Sequence, residues 1–143
     1  MGAKLTNIFS TEFTVETADS KNKLMYTQTW KNNMGDRGEP KIVPNPDGKD
    51  YTCITFKPEL RRFGMDHLDD DIVALMTKRV YDMAGCTPAS VKVKLNGKVL
   101  DIKNFHAYSD MYLQTVEYRE LPKIIEVKPS SDRWEVVCSL SDG

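Results

Sequence analysis

Two alternating runs joined by a short polar turn constrain the fold of this chain more than any other feature. Phe13-Thr-Val-Glu-Thr17 and Leu24-Met-Tyr-Thr-Gln-Thr-Trp30 both alternate at the period of a strand with one buried face. The second run places Leu24, Tyr26, Gln28 and Trp30 on one side and Met25, Thr27 and Thr29 on the other. Asp19-Ser-Lys-Asn22 is a turn, and so short a connection pairs the two strands antiparallel. Tyr51-Thr-Cys-Ile-Thr-Phe56 is β-branched and aromatic and predicts a third strand whose pairing stops at Pro58. Asn32 to Asp50 reads as a long surface connection with at most a short strand at Ile42-Val43.

The clearest helix runs from Asp66 to Ala84. Asp66 is its expected cap, Asp69, Asp70 and Asp71 occupy the first turns where the helix dipole favours negative charge, and Gly85 is the expected exit. Ile72, Leu75, Met76, Arg79, Val80 and Met83 recur at three- and four-residue steps and predict one buried stripe, with Arg79 contributing its methylenes. Val91 to Leu95, Asn96-Gly97 and Val99 to Ile102 form a strong hairpin signal. Phe105 to Leu113 is expected to be helical. Lys123 to Val127 and Arg133 to Cys138 are expected to make a further antiparallel pair. Trp30 and Trp134 are expected core anchors. Strands, one long helix and a hairpin together imply an α+β fold, a mixed, mainly antiparallel sheet with helices on one face.

Composition narrows the function classes. With 143 residues, 40% of them hydrophobic and 29% charged, the chain has the makeup of one globular unit or a piece of a larger one. A formal net charge of -1 gives it no polycationic character to drive DNA binding by counterion release. Cys53, Cys86 and Cys138 form no Cys-x-x-Cys pair and are odd in number, which argues for a reducing compartment rather than a disulfide framework. His67 and His106 have no metal-ligand spacing. The three consecutive aspartates suit a solvated helix start better than a metal site, because successive helical residues point in different directions. No run approaches the ~20 apolar residues of a membrane span, and the opening residues lack the apolar core of a secretory signal.

The chemistry-bearing string is the first. Gly2 lets a ligand approach the backbone closely, N–H groups near Ala3 can face an anion, and Lys4 adds a positive charge. Those are the parts of a phosphate-binding turn. Taken locally, an exposed lysine at the start of an amphipathic turn explains the same three residues. Thr52, flanked by aromatic residues, is by local pattern a strand threonine selected for its β-branch.

The longer string decides between those readings. Gly2-Ala-Lys-Leu-Thr-Asn-Ile-Phe-Ser-Thr-Glu-Phe13 with Thr14-Val-Glu-Thr-Ala18 resembles the eukaryotic type II DNA topoisomerase family, where it completes a Gly-Arg-Asn-Gly-Tyr-Gly-Ala-Lys-Leu lid over the ATP phosphates. The resemblance continues in order through Gln28 to Met34, Tyr51 to Pro58, Asp71 to Met76, Arg79 to Asp82, Val93 to Gly97, Tyr108 to Leu113 and Asp132 to Val136.

It implies the second half of a GHKL-type ATPase domain, an α/β sandwich, over residues 1–103, and the opening strands of a transducer domain over residues 104–143. Gly2, Ala3 and Lys4 would meet the triphosphate and Thr52 the adenine end. The cofactors implied are ATP and Mg2+. A glutamate base, a magnesium-binding asparagine and an adenine-reading aspartate are expected upstream of Met1, which stands where the family has tyrosine. A Gln-Thr-Lys loop is expected downstream. No catalytic and no metal-binding residue is therefore expected within these residues. The chain would be an inactive fragment, exposing a sheet edge and prone to aggregate or to be molten.

The parent protein would be a nuclear homodimer acting on duplex DNA, away from membranes. It would pass one duplex through a transient break in another, with the cleaving tyrosine elsewhere. A freestanding binding module descended from such a sequence is the main alternative. A mismatch-repair ATPase or a chaperone is a second, disfavoured by the continuous match through Arg133-Trp134-Glu135-Val136.

Overall fold

The two alternating runs pair as the turn between them predicts, and each is longer than its alternation. In a computed structural model describing residues 1–112, 125–127 and 134–138, β1 (Ser10–Asp19) and β2 (Leu24–Lys31) are antiparallel, in register from Glu12 against Lys31 to Asp19 against Leu24. The described residues fall into two compact units, Met1–Leu68 and Asp69–Gly143.

In the first unit the 32–50 connection contributes two short strands, β3 (Asp36–Arg37) and β4 (Lys41–Pro44), both on the edge of β2 away from β1. β4 contains the expected Ile42-Val43, whereas β3 carried no β-branched signal. β5 (Tyr51–Pro58) pairs antiparallel with β1, setting Phe13 opposite Phe56, Val15 opposite Ile54 and Thr17 opposite Thr52. Pro58 ends the strand, as its missing N–H requires. The order is β3-β2-β1-β5.

Alternation sorts the two faces of this sheet. On one, Glu12 lies between Lys31 at 3.6 Å and Lys57 at 3.2 Å, and the Thr14 and Thr29 hydroxyls share a hydrogen bond of 2.9 Å. On the other, buried Phe13 meets Trp30 edge-on with ring centroids 6.2 Å apart. Trp30 thus anchors the sheet as expected.

β5 is less well covered. Among the described residues only β1 pairs with it, and its Ile54 and Phe56 are 43% and 44% exposed. This is the exposed edge that the resemblance predicted. Only Phe13, Ala18 and Ala84 are both apolar and buried among the described residues.

The second unit corrects the helix boundaries. α1 (Gly2–Ile8) precedes β1 in the first unit, and the long helix of the second, α2, spans Asp70–Cys86. Its cap is Asp69, whose Oδ1 accepts from Ile72 N at 2.8 Å, and not Asp66, which instead pairs with His67. Gly85 does not end the helix. It lies buried inside α2 against Tyr108 of α3 (Phe105–Asp110), and the turn closes at Thr87, whose hydroxyl bonds Met83 O, just before Pro88.

The expected stripe is also displaced. Leu75, Met76 and Met83 are exposed, while the covered side carries Thr77, Val80, Tyr81, Ala84 and Gly85, which also recur at three- and four-residue steps. Gly85 faces α3 because only a residue without a Cβ lets the Tyr108 ring approach so closely, and apolar periodicity does not register a glycine.

The hairpin is present as β6 (Lys94–Leu95) and β7 (Lys98–Val99). Its turn residues Asn96 and Gly97 take φ of 49° and 81°, the pair of left-handed positions that an Asn-Gly turn supplies. Asn104 caps α3 by accepting from Ala107 N at 2.8 Å. β8 (Ile125–Val127) and β9 (Val136–Cys138) pair antiparallel as expected. Leu113, Lys123, Ile124 and Arg133, to which the expected elements also extended, lie outside the described residues. Trp134 is 70% exposed, so it is not a core anchor among them.

Candidate functional site

α1 is only seven residues long, and no side chain caps its start at Met1. Gly2, Ala3 and Lys4 form its exposed first turn. Their N–H groups precede the first intrahelical bond, Leu5 N to Met1 O at 3.2 Å, so the helix itself leaves them without acceptors. The turn expected near Ala3 is thus helical from Gly2 onward. No atom lies within 4 Å of where a Cβ on Gly2 would stand, so that face is open to a ligand. Lys4 is exposed, and among the described residues no carboxylate pairs with it. This cationic, acceptor-free turn has the right chemistry for a phosphate group.

The other end of α1 is fixed. Ser10, 1% exposed, donates its hydroxyl to Thr6 O, and Glu59 N donates to Phe9 O at 2.9 Å. Asn33 Nδ2 donates to Ile8 O at 2.9 Å and to Glu59 Oε2 at 2.7 Å. Arg62, in the 3₁₀ turn Leu60–Phe63, pairs with the same Glu59 oxygen at 2.6 Å and lies 5.8 Å from the centre of the Phe9 ring, which packs against Phe63. Arg62 first, and Asn33 second, hold the Glu59 carboxyl below the usual carboxylate range. Asn7, in the same helix, is 5% exposed, and its Oδ1 has no partner among the described residues.

Thr52 stands apart from this corner. It is exposed on β5, its hydroxyl 3.3 Å from that of Thr17. Thr17 lies seven residues along β1 from Ser10, on the order of 23 Å of strand. The structure therefore does not bring Thr52 and Lys4 into contact. A shallow depression of about 210 Å³ beside Thr17 is lined by Asp19, Leu24, Tyr26 and Ile42.

In the second unit the Asp82 carboxylate gathers Lys78 Nζ at 2.8 Å, Arg79 at 3.2 Å and the Tyr108 hydroxyl. Lys78 first, then Tyr108, draw its pKa down to about 2, while burial and the same carboxylate raise that of Tyr108. An open groove of about 420 Å³ beside these residues is lined by Ala74, Thr77, Tyr81 and Met111. Cys53, Cys86 and Cys138 are free and exposed. Among the described residues no three of His, Cys, Asp and Glu gather closely enough to hold a metal ion, and no helix is long and apolar enough to cross a membrane.

Sequence reasoning missed both Asn33 and the Asp82–Tyr108 contact. The Asn32-Asn33 pair directly after a strand was the available signal for the first, since asparagine tolerates left-handed backbone. Tyr108 carried no signal, because its partner is 26 residues away.

The chain is 51% identical to a DNA topoisomerase 2 of Arabidopsis thaliana over 146 aligned residues, which cover 99% of this chain and 10% of that protein. It superimposes on the ATPase region of Saccharomyces cerevisiae topoisomerase II with a TM-score of 0.89 and 48% identity, covering 99% of this chain and 36% of that one. This segment belongs to the eukaryotic type II DNA topoisomerase family. No family model matches the chain.

The 43K ATPase domain of Thermus thermophilus gyrase B, 20% identical with a TM-score of 0.59 over 92% of this chain, shares the fold. The α+β architecture is thus that of a GHKL-type ATPase domain. The chain spans about a tenth of the length of the topoisomerase relative it matches. A match of this depth along nearly the whole chain favours an ATPase segment over a freestanding binding module.

Proposed function

We propose that this chain is the part of an ATP-dependent type II DNA topoisomerase that carries the end of the nucleotide lid and leads into the transducer, with residues 1–103 completing the GHKL domain and 104–143 opening the next. The observation that carries this reading is the superposition of 99% of the chain on a topoisomerase II ATPase region at 48% identity. The intact protein then relaxes, decatenates and unknots duplex DNA by double-strand passage, as a nuclear homodimer in a reducing compartment.

Within it, Lys4 neutralises and orients the triphosphate, and Gly2 and Ala3 supply close backbone approach and N–H donors. Thr52 serves the adenine end through its hydroxyl. The exposed Lys4 ammonium, which pairs with no carboxylate among the described residues, and the open face at Gly2 suit a polyanion. The resemblance assigns the Mg2+ ligands to other segments of the protein. Nucleotide state passes from α1 through β1 and β5 toward the rest of the chain.

The test is strand passage by the full-length protein. Supercoiled duplex circles should relax, and linked circles separate, only when ATP and Mg2+ are supplied. Relaxation that proceeds equally without nucleotide would refute the reading.

A further inference from the structure

We propose that Asn33 is a positioning residue for the Gly2–Lys4 stretch: its amide ties the C-terminal end of α1 to the end of β5, and the left-handed turn that carries it serves to aim that amide. The inference rests on the proposed role of Lys4 and adds what holds Lys4 in place.

A seven-residue helix is marginal without tertiary support. α1 receives that support at its C-terminal end, from Asn33 on Ile8 O, Glu59 N on Phe9 O and Ser10 on Thr6 O. The contacts form a closed circuit, in which Asn33 bonds Glu59, Glu59 bonds Arg62, and Arg62 returns to the Phe9 ring next to Ile8. Lys4 lies four residues from Ile8, about 6 Å along the helix axis, so a change of tilt at Ile8 moves the ammonium.

The backbone gives the second, independent observation. Asn32, Asn33 and Met34 take consecutive positive φ values of 52°, 57° and 69°, a region that non-glycine residues rarely adopt and that three successive ones adopt more rarely still. The turn is held there by Asn32 N on Thr11 O, Asn33 N on Ser10 O and Gly35 N on Asn32 O. A Cβ on Gly35 would stand 2.9 Å from Asn32 O, so the turn excludes larger residues. Joining β2 to β3 explains the bend. It does not explain an amide that leaves the hairpin to bridge a helix end and a carboxylate, and strain of this kind collects where geometry must be held.

The experiment uses the full-length protein with Asn33→Gly, which keeps left-handed backbone without strain and deletes both side-chain bonds. Asn32→Gly relaxes the same turn without touching α1 and serves as control. Asn33→Gly should raise the KM for ATP about five- to tenfold while kcat stays within about twofold, as loss of a hydrogen bond that acts on ground-state binding predicts. It should also speed amide exchange at Leu5 and Phe9, with Val15 and Gln28 unchanged.

Wild-type KM and exchange in Asn33→Gly, or equal effects from Asn32→Gly, would overturn the inference. Lys4→Ala measured in parallel separates the two ideas. A raised KM in Lys4→Ala with none in Asn33→Gly removes the positioning role alone, whereas an unchanged KM in Lys4→Ala removes the nucleotide role on which it rests.

Discussion

Adding one methyl group at Gly85 tests how α2 and α3 meet. A Cβ built there stands 2.6 Å from Tyr108 Cγ and 2.9 Å from both Tyr108 Cβ and Cδ1, where carbon pairs prefer at least about 3.5 Å. The ring cannot swing clear, because its own Cβ is one of the atoms met. Its hydroxyl is also bonded to Asp82 and Tyr112, and it stacks on Phe105 at 6.1 Å. The helices must therefore separate, and overpacking of this sort costs about 1–3 kcal/mol. Alanine recovers about 1 kcal/mol over glycine in a helix interior. With three atoms in conflict, Gly85→Ala should destabilise the chain by about 1–2 kcal/mol in urea unfolding followed by far-UV circular dichroism. In a Tyr108→Gly background, which removes all three atoms met, the same change should stabilise by about 1 kcal/mol, since only propensity remains. A stabilising Gly85→Ala in the presence of Tyr108 would refute the packing.

Asp69→Ala should cost about 1 kcal/mol of stability and Asp66→Ala almost nothing, read by urea midpoint, because only Asp69 accepts from the helix start; the reverse order would restore the boundary that the sequence suggested. Asp82 has its pKa lowered from 3.8 to about 2 in the folded chain, so what it contributes is full above about pH 4 and is lost as pH falls toward 2. Acid titration followed by tyrosine fluorescence should show a step in that window that Asp82→Asn abolishes, and a step unchanged by the substitution would count against the Tyr108–Asp82 bond. Phe56→Lys on the uncovered strand β5 should lower self-association of the isolated chain in sedimentation velocity, and identical sedimentation would argue that β5 is not the exposed edge that drives it.

The elements that could be read from the sequence are those whose signal is local. β1, β2 and β5 announce themselves by alternation and β-branching, the Asn96-Gly97 hairpin by its turn residues, and α2 by its period. The ends of α2 were misplaced because three candidate caps, Asp66, Asp69 and Asp70, lie within one turn and a half. Gly85 looked like an exit for want of any sign that a tyrosine 23 residues later packs on it. The buried face of α2 was likewise assigned to its largest apolar residues, although a glycine, Gly85, faces α3. For the proposed site, Gly2, Ala3, Lys4 and Thr52 were nameable through the resemblance, and all four are exposed. Asn33 was not, because its role depends on β1 and β2 bringing it back to the end of α1.

The most direct test of the account is ATP affinity in the full-length protein with and without Lys4. Lys4→Ala should weaken binding of ATP with Mg2+ by about tenfold or more, the loss expected of one charge-assisted contact, while binding of duplex DNA stays at the wild-type level. ATP affinity equal to that of the unmodified protein would contradict the claim that this segment closes over the triphosphate.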